Sequence, residues 1–230
     1  MDAVLHRLLI WGAEIPEPLR RTCRDTEALL PEFEVRLWRN DDVRALLAER
    51  APDYLRVYDG YARDIQRADF ARYAILYFCG GLYLDLNLDV EALRPGRPLF
   101  SGPWAHSCLL CEETRLTPEF RAATASYPIR QCLPEDERPE CTRRIANYLM
   151  AADTGDRTMK RILDLCGARS RLTVREDYDV IFTTGPDVVS TVVESHEDES
   201  RRVIPLAEVD PYFRHQAAGS WRTDARAAPR

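Results

Sequence analysis

A short run after residue 81 carries the side chains best suited to chemistry. Apolar residues occupy every second position over 82–90, and the positions between and after them hold Tyr83, Asp85, Asn87, Asp89 and Glu91. Alternation of this kind predicts a strand, on which side chains of one face lie roughly 7 Å apart. Carboxylates in such a row repel one another unless a cation or a water-filled cleft offsets them. Oxygen ligands suit Mg²⁺ or Mn²⁺, so we expect a divalent-cation site; a solvated edge strand is the alternative.

The residues just before this strand predict a helix over 61–79. Ile65, Asp69, Arg72 and Leu76 share one stripe of that helix, which is apolar at both ends and charged in the middle. Asp69 and Arg72 are spaced to pair with each other. One interpretation is therefore a solvated ion pair on a helix edge. The other is a carboxylate and a guanidinium held at a cleft, where they grip a polar ligand such as a sugar.

The elements that must position these residues begin with alternating strands and helices. Apolar runs predict strands over 4–11 and 33–38, and helix-start signals predict helices over 17–30 and from Asn40. The order β-α-β-α favours an α/β fold with a mostly parallel central sheet and flanking helices.

The second half of the chain is less regular. Six prolines punctuate residues 96–143, where we expect a short strand near 107–112 and a variable excursion. The segments IANYLMAA and RTMKRILDLCGA predict helices, and YDVIFTTGPDVVSTVVES predicts a strand, a turn and a helix. The start of that last helix, after Thr184, Gly185 and Pro186, favours anions and is expected to help position the substrate.

Length, charge and cysteine content exclude several classes of protein. A chain of 230 residues predicts one domain, over 1–222, followed by a flexible tail over 223–230. The net charge of −6 argues against general binding of nucleic acid or anionic membranes. Seven cysteines are an odd number, and no apolar run is long enough to span a bilayer. We therefore expect a soluble, cytoplasmic protein.

The segment ADFARYAILYFCGGLYLDLNLDVEALRP resembles the core of glycosyltransferase family 32. That family includes initiating α-1,6-mannosyltransferases and is similar to the glucosylating domains of large clostridial toxins. Its pattern is a D-x-x-R-Y helix, a Gly-Gly pair and then Y-x-D-x-D, the last part being its DxD motif. Further likenesses follow in order along the chain: LHRLLIWGAEIPEPLRR, LPEFEVRLW, IANYLMAA, TTGP and HQAAGSW.

The resemblance implies a GT-A fold, which is a Rossmann-like nucleotide-binding domain. It also implies a retaining glycosyltransferase that depends on a metal, Mn²⁺ or Mg²⁺. The donor would be a UDP- or GDP-linked sugar, and the acceptor an unidentified glycan or protein. Among the residues that match family positions, the catalytic group is Asp85, Asp69 and Arg72.

The remaining residues that match family positions fall into two groups, those expected to bind the donor and those expected to bind the metal. Donor-binding residues implied by the resemblance are Trp11, Asp69, Arg72, Tyr83, Asn147 and Trp221. Asn147 is alternatively a helix cap. Metal ligands implied by the resemblance, together with the strand alternation, are Asp85, Asn87, Asp89, His215 and Ser220.

Two alternatives remain open at this point. Asn87 stands where the family has a second carboxylate, which is compatible with a catalytically inactive protein that binds sugar nucleotides. Cys108 and Cys111, with Cys132 and Cys141 further along, suggest instead a zinc-organised interaction module. On a strand, however, residues three apart point to opposite faces and cannot chelate one ion.

Overall fold

The fold is known from a computed structural model, which describes residues 3–12, 14–90, 106–134, 138, 140–209 and 213–215. The side chains of residues 89, 90, 209 and 213–215 are outside this description. Within it, the strands are Val4–Leu9 (β1), Glu34–Arg39 (β2), Gly81–Leu84 (β3), Leu88–Val90 (β4), Cys108–Arg115 (β5), Arg143–Ala152 (β6), Arg201–Ile204 (β7) and Phe213–His215 (β8).

Helices lie between most of these strands. In the described residues they are Glu17–Glu27 (α1), Asn40–Arg50 (α2), Pro52–Gly60 (α3), Asp64–Cys79 (α4), Pro118–Ala125 (α5), Pro128–Gln131 (α6), Arg157–Arg169 (α7), Asp177–Thr183 (α8), Pro186–Ser195 (α9) and Leu206–Val209 (α10). The predicted order β-α-β-α at the start of the chain is therefore confirmed, with boundaries shifted by a few residues.

Six of the strands form one central sheet in the order β2-β1-β3-β6-β5-β7. The strand β1 pairs in parallel with β2 and β3, and β5 pairs in parallel with β7. Only β6 among these six runs the other way, antiparallel to β3 and to β5. The predicted α/β class with a mostly parallel sheet is confirmed. Apolar clusters cover both faces of the sheet, and the larger one includes the inner side of α4.

The strand predicted over 82–90 is in fact two strands in two different sheets. The register of β3 with β6 ends at Leu84, and the Asp85 N–H makes one more backbone hydrogen bond, to the Tyr148 carbonyl at 2.9 Å. Residues 85–87 then form a turn in which the Leu88 N–H donates to the Asp85 carbonyl at 3.2 Å. After the turn, β4 pairs with β8 instead. The prediction that Asp85, Asn87 and Asp89 share one strand face is therefore wrong, because alternation does not continue across a turn.

Two other predicted elements have the opposite secondary structure. The segment IANYLMAA, predicted as a helix, lies in β6, and its apolar residues are buried on both faces of the sheet. A doubly buried strand has no polar alternation, so its sequence looks helical. The segment YDVIFTT, predicted as a strand, is α8. Its start is stabilised by a capping box, in which Asp179 accepts from the Glu176 N–H at 3.0 Å.

The helix α4 is the element that carries most of the site. It is buried on nearly every side over Gln66–Leu76, which is why its sequence is mostly apolar apart from a few polar positions. Gly80 and Gly81 follow it with φ angles of 68° and 93°, values that favour glycine. The two glycines turn the chain directly from α4 into β3, so the charged residues of the helix and Asp85 after the strand face the same region.

The pairing of β5 with β6 is irregular near the middle of β6. Leu110 pairs with Met150, but the next pairing joins Glu112 to Ile145, so extra residues of β6 lie between them. Bulges of this kind re-aim side chains and are common next to binding sites. Here the extra residues include Asn147 and Tyr148, both of which line the cavity described below.

All seven cysteines lie in the described residues and none forms a disulfide. Among the described residues there is also no helix with the length and apolar composition needed to cross a membrane.

Candidate functional site

A cavity of about 390 Å³ opens where the parallel strands β1 and β3 end. Its lining comes from Trp11 after β1, Asp85 and Asn87 after β3, Asp69 and Arg72 on α4, and the α8–α9 turn at Gly185. In open α/β sheets, ligands bind beyond the carboxyl ends of the strands. The cavity lies in that position.

Asp69 and Arg72, which both line the cavity, form a pair inside the protein. Arg72 Nη2 lies 3.2 Å from Asp69 Oδ1, and the two side chains are only 5% and 6% exposed. They therefore form an ion pair, as their spacing predicted, but it is buried. The interpretation of this pair as a solvated feature of a helix edge is wrong.

Arg72 also joins the helix to the strand that follows it. Its Nη1 lies 3.1 Å from Asp85 Oδ1 and donates to the Asn147 carbonyl at 2.9 Å. Its Nε donates to the Ala68 carbonyl at 3.3 Å. The single guanidinium thus fixes Asp69, Asp85 and β6 relative to one another, with the forked geometry that lysine lacks.

Asp85 is oriented from three directions. Besides Arg72, it accepts a hydrogen bond from Tyr83 Oη at 2.7 Å. Its backbone carbonyl accepts from Arg7 Nη1 at 2.8 Å, and Arg7 is fully buried on β1. The start of the 85–87 turn is therefore held by side chains from β1, β3 and α4.

Asn147 lies within β6 and not at the start of a helix, so the alternative role as a helix cap is wrong. Its Nδ2 donates to Asp69 Oδ1 at 3.0 Å and lies 3.2 Å from Tyr73 Oη. Thr184 Oγ1 donates to the other oxygen of Asp69 at 3.1 Å. These contacts connect α4, β6 and the α8–α9 turn through one carboxylate.

Burial raises the pKa of Asp69 to about 6, against the opposing effect of Arg72 and with a further increase from the Asp85 carboxylate. Burial lowers the pKa of Arg72, but the Asp85 and Asp69 carboxylates outweigh it and hold the pKa above its ordinary value. Burial also raises the pKa of the Tyr73 and Tyr83 hydroxyls. Both tyrosines therefore stay protonated and can donate hydrogen bonds.

The segment that contains Asp69, Arg72 and Asp85 is similar to known proteins. Residues 16–102 match the family described as "Glycosyltransferase sugar-binding region containing DXD motif", which is fewer than half of the 230 residues. This region holds Asp69, Arg72, Tyr83 and Asp85. Over residues 16–102 the chain is therefore similar to this family of glycosyltransferases.

Curated relatives align over much the same stretch of sequence. An uncharacterised glycosyltransferase of Acanthamoeba polyphaga mimivirus is 40% identical over 87 residues, which are 37% of this chain and 35% of the relative. Inositol phosphoceramide mannosyltransferase 3 of Schizosaccharomyces pombe is 42% identical over 93 residues, which are 39% of this chain and 25% of the relative. The chain thus aligns with about a third or less of these relatives, and the predicted resemblance to glycosyltransferases is confirmed.

A solved structure extends the likeness beyond the sugar-binding region. PaToxG Glycosyltransferase has a TM-score of 0.55 and 15% identity, with 84% of this chain and 69% of that chain covered. At this identity the match shows similarity of fold alone.

The predicted metal ligands are only partly within the described residues. Asp85 and Asn87 line the same cavity as Asp69 and Arg72. Asp89 and His215 lie on the paired strands β4 and β8, where the register places Leu88 opposite His215, and only their backbones are described. Ser220 and Trp221 lie outside the described residues.

The donor set is chemically suited to a hard cation. Asp85 and Asn87 offer a carboxylate and an amide oxygen, which are ligand types that Mg²⁺ and Mn²⁺ accept. Over the part of the chain with described side chains, however, no three His, Cys, Asp or Glu residues are grouped closely enough to hold a metal ion.

The cysteines do not form a zinc site in the described structure. Cys108 packs in the core cluster on one face of the sheet, and Cys111 packs in the cluster on the other. Burial raises the pKa of both thiols, which disfavours the thiolate that binds zinc. The expectation that these two residues point to opposite faces is confirmed.

Sequence reasoning missed two contributors to the site. Arg7 sits in an apolar strand, and nothing in its neighbourhood indicates that it holds the 85–87 turn. Tyr73 belongs to the D-x-x-R-Y pattern, which could have marked it as a site residue. Its contacts with Asn147 and with the Thr184 carbonyl at 2.9 Å are long-range and do not follow from the pattern.

Proposed function

We propose that the protein is a glycosyltransferase that moves a sugar from a nucleotide-sugar donor to a hydroxyl-bearing acceptor. The observation that carries this proposal is the buried network of Asp69, Arg72 and Asp85. It lies in the matched sugar-binding region and forms one wall of the cavity. Side chains fixed in this way present hydrogen-bonding groups to a sugar without being reorganised when it binds.

The donor is expected to lie between β1 and α4. Trp11 is 47% exposed at the end of β1 and offers a flat apolar surface on which a nucleotide base can stack. Asp69, Arg72, Tyr83 and Asn147 then face the sugar. The names of the yeast relatives support mannose as the first sugar to test.

The charges of the network support a requirement for a divalent cation. Arg72 is already countered by two carboxylates, Asp69 and Asp85, so the network has no surplus positive charge for a diphosphate. Asp85 and Asn87, with Asp89, His215 and Ser220, are the residues we propose to hold the cation. A cation bound there would neutralise the departing diphosphate.

We further propose that the reaction retains the anomeric configuration, as the family resemblance implies. In this mechanism the leaving phosphate accepts the proton of the acceptor, so no separate protein base is required. The anomeric signal of the first-formed product, followed by NMR, distinguishes retention from inversion.

The decisive variant is Asp85→Ala. It removes the carboxylate that meets Arg72 and Tyr83 at the cavity, so we expect metal-dependent hydrolysis or transfer to fall at least about a hundredfold. The assay is a screen of GDP-mannose and other GDP- and UDP-sugars with Mn²⁺. The matched control is Asp53→Ala, which removes an exposed carboxylate on α3. Full activity in Asp85→Ala would overturn the assignment.

Asn87 supports a second candidate, an inactive protein that binds sugar nucleotides. It replaces a carboxylate of the DxD motif with an amide, which is a neutral and weaker ligand for a divalent cation. Thermal stabilisation by a nucleotide sugar without turnover would favour this candidate. Gain of turnover in Asn87→Asp would then show that the amide is the cause.

A further inference from the structure

Glu113 is a charged cavity residue that none of the preceding assignments uses. It lies on β5, which is separated from β3 by β6 in the sheet order, and it lines the same cavity as Asp69 and Asp85. It is outside the sugar-binding region over 16–102. Arg144 on β6 lines the cavity beside it.

Glu113 and Arg144 each keep a buried polar atom without a partner. Among the described residues, Glu113 Oε2 and Arg144 Nε are both shielded from solvent and neither makes a hydrogen bond. The two side chains form no salt bridge with each other in the described structure; Arg144 Nη2 lies 3.4 Å from Asp187 Oδ1 instead. Buried polar groups are normally satisfied, so these two atoms are free to bond to an ordered water or to a ligand in the cavity.

We propose that Glu113 is an acceptor-binding residue whose carboxylate accepts a hydrogen bond from a hydroxyl group of a polyol, such as a sugar or a cyclitol. Arg144 Nε donates to a neighbouring oxygen of the same molecule. An acceptor–donor pair of this kind matches adjacent hydroxyl groups, each of which both donates and accepts. The role as acceptor site rests on the proposed function, whereas the contact with a polyol does not.

The position of Glu113 favours the acceptor over the donor. The groups expected to face the donor come from β1, α4 and the turn after β3, and Asn147 is the furthest of them along the sheet. Glu113 lies one strand further, on β5, and Arg144, on the same strand as Asn147, pairs with Asp187 of α9. Burial raises the pKa of Glu113, and Arg144 opposes the increase. This agrees with a carboxyl group that has little contact with water in the cavity wall.

The test separates polyol binding from nucleotide binding. Binding of methyl α-D-mannopyranoside and of myo-inositol is titrated by NMR, and binding of GDP and UDP with Mn²⁺ is titrated by thermal shift. The variants are Glu113→Ala and Glu113→Gln, and the control is Glu119→Gln at an exposed position of α5.

We expect Glu113→Ala to weaken polyol binding about tenfold or more, because a hydrogen bond to a charged group is lost. Glu113→Gln should weaken it less, since an amide oxygen still accepts. Nucleotide binding should stay within about twofold of the wild type in both, because the donor-facing groups are intact. The melting temperature without ligand should be unchanged or higher, because the variants remove an unsatisfied buried carboxylate.

Four outcomes would overturn the proposal: no polyol binding by the wild type, polyol binding unchanged in Glu113→Ala, an equal loss of nucleotide binding, or a melting temperature lowered in both variants. A wild-type protein that binds polyols through Glu113 but binds no nucleotide sugar would disprove the proposed function alone.

Discussion

At the scale of single residues, the site is organised around a guanidinium that is almost entirely shielded from water. Arg72 contacts the side chains of Asp69 and Asp85 and the backbone of Asn147. Asp69 and Arg72 could be selected from the sequence because they lie three residues apart on a predicted helix. Their burial could not, because it depends on Asn147 and Thr184, which are far away along the chain.

The substitution Arg72→Lys tests this arrangement while keeping the charge. A lysine cannot reach both carboxylates and the Asn147 carbonyl together, so we expect a loss of about 3 kcal/mol in the free energy of unfolding. Urea denaturation measures this loss, and nucleotide-sugar binding should weaken at least about tenfold as the site loosens. Arg56→Lys, at an exposed position on α3, is the control. Wild-type stability and binding in Arg72→Lys would contradict the prediction.

At the scale of elements, the passage from α4 into β3 depends on two glycines. Gly81 has a φ angle of 93°, and a Cβ atom there would lie 2.6 Å from the Val4 carbonyl oxygen and 3.0 Å from His6 Nε2. Sequence analysis correctly placed the end of the helix at this pair. It did not show that β1 packs against the second glycine, which is a long-range contact.

We therefore expect Gly81→Ala to lower the free energy of unfolding by about 3 kcal/mol, from backbone strain and from the close contact with β1. Gly60→Ala is the matched control, because a Cβ atom there meets nothing within 4 Å and its φ angle is not positive. It should change stability by less than about 1 kcal/mol. Chemical denaturation of both variants measures these changes. Similar losses in the free energy of unfolding of the two variants would contradict the prediction.

At the scale of the whole molecule, His6 connects the first half of the sheet to the end of α4. Its Nε2–H donates to the Gly80 carbonyl at 2.8 Å, and its Nδ1 accepts from Trp38 Nε1 on β2 at 3.0 Å. This arrangement requires the neutral ring. Burial lowers the pKa of His6 from 6.5 to about 4, although the Gly80 hydrogen bond opposes the decrease.

Because the unfolded chain binds a proton that the folded chain excludes, His6 stabilises the fold fully above about pH 6.5. This contribution, about 3 kcal/mol, is lost as the pH falls to about 4. Asp69 acts in the opposite direction, since its raised pKa makes stability fall as the pH rises from 3.8 to about 6. The difference between wild type and His6→Gln, measured by urea denaturation from pH 7.5 to 4, isolates the histidine. A difference independent of pH would refute the prediction.

The sequence by itself determined the α/β class, the helix that carries Asp69 and Arg72, its end at Gly80 and Gly81, and the family resemblance. These features are local, because a helix, its cap and a short motif depend on neighbours along the chain. The tertiary structure alone decided that the chain turns after Leu84, that IANYLMAA is a strand, and that Asp69 meets Asn147 and Thr184 across 78 and 115 residues. Burial on both faces removes the alternation from which strands are predicted, and contacts over such distances have no periodic pattern in the sequence.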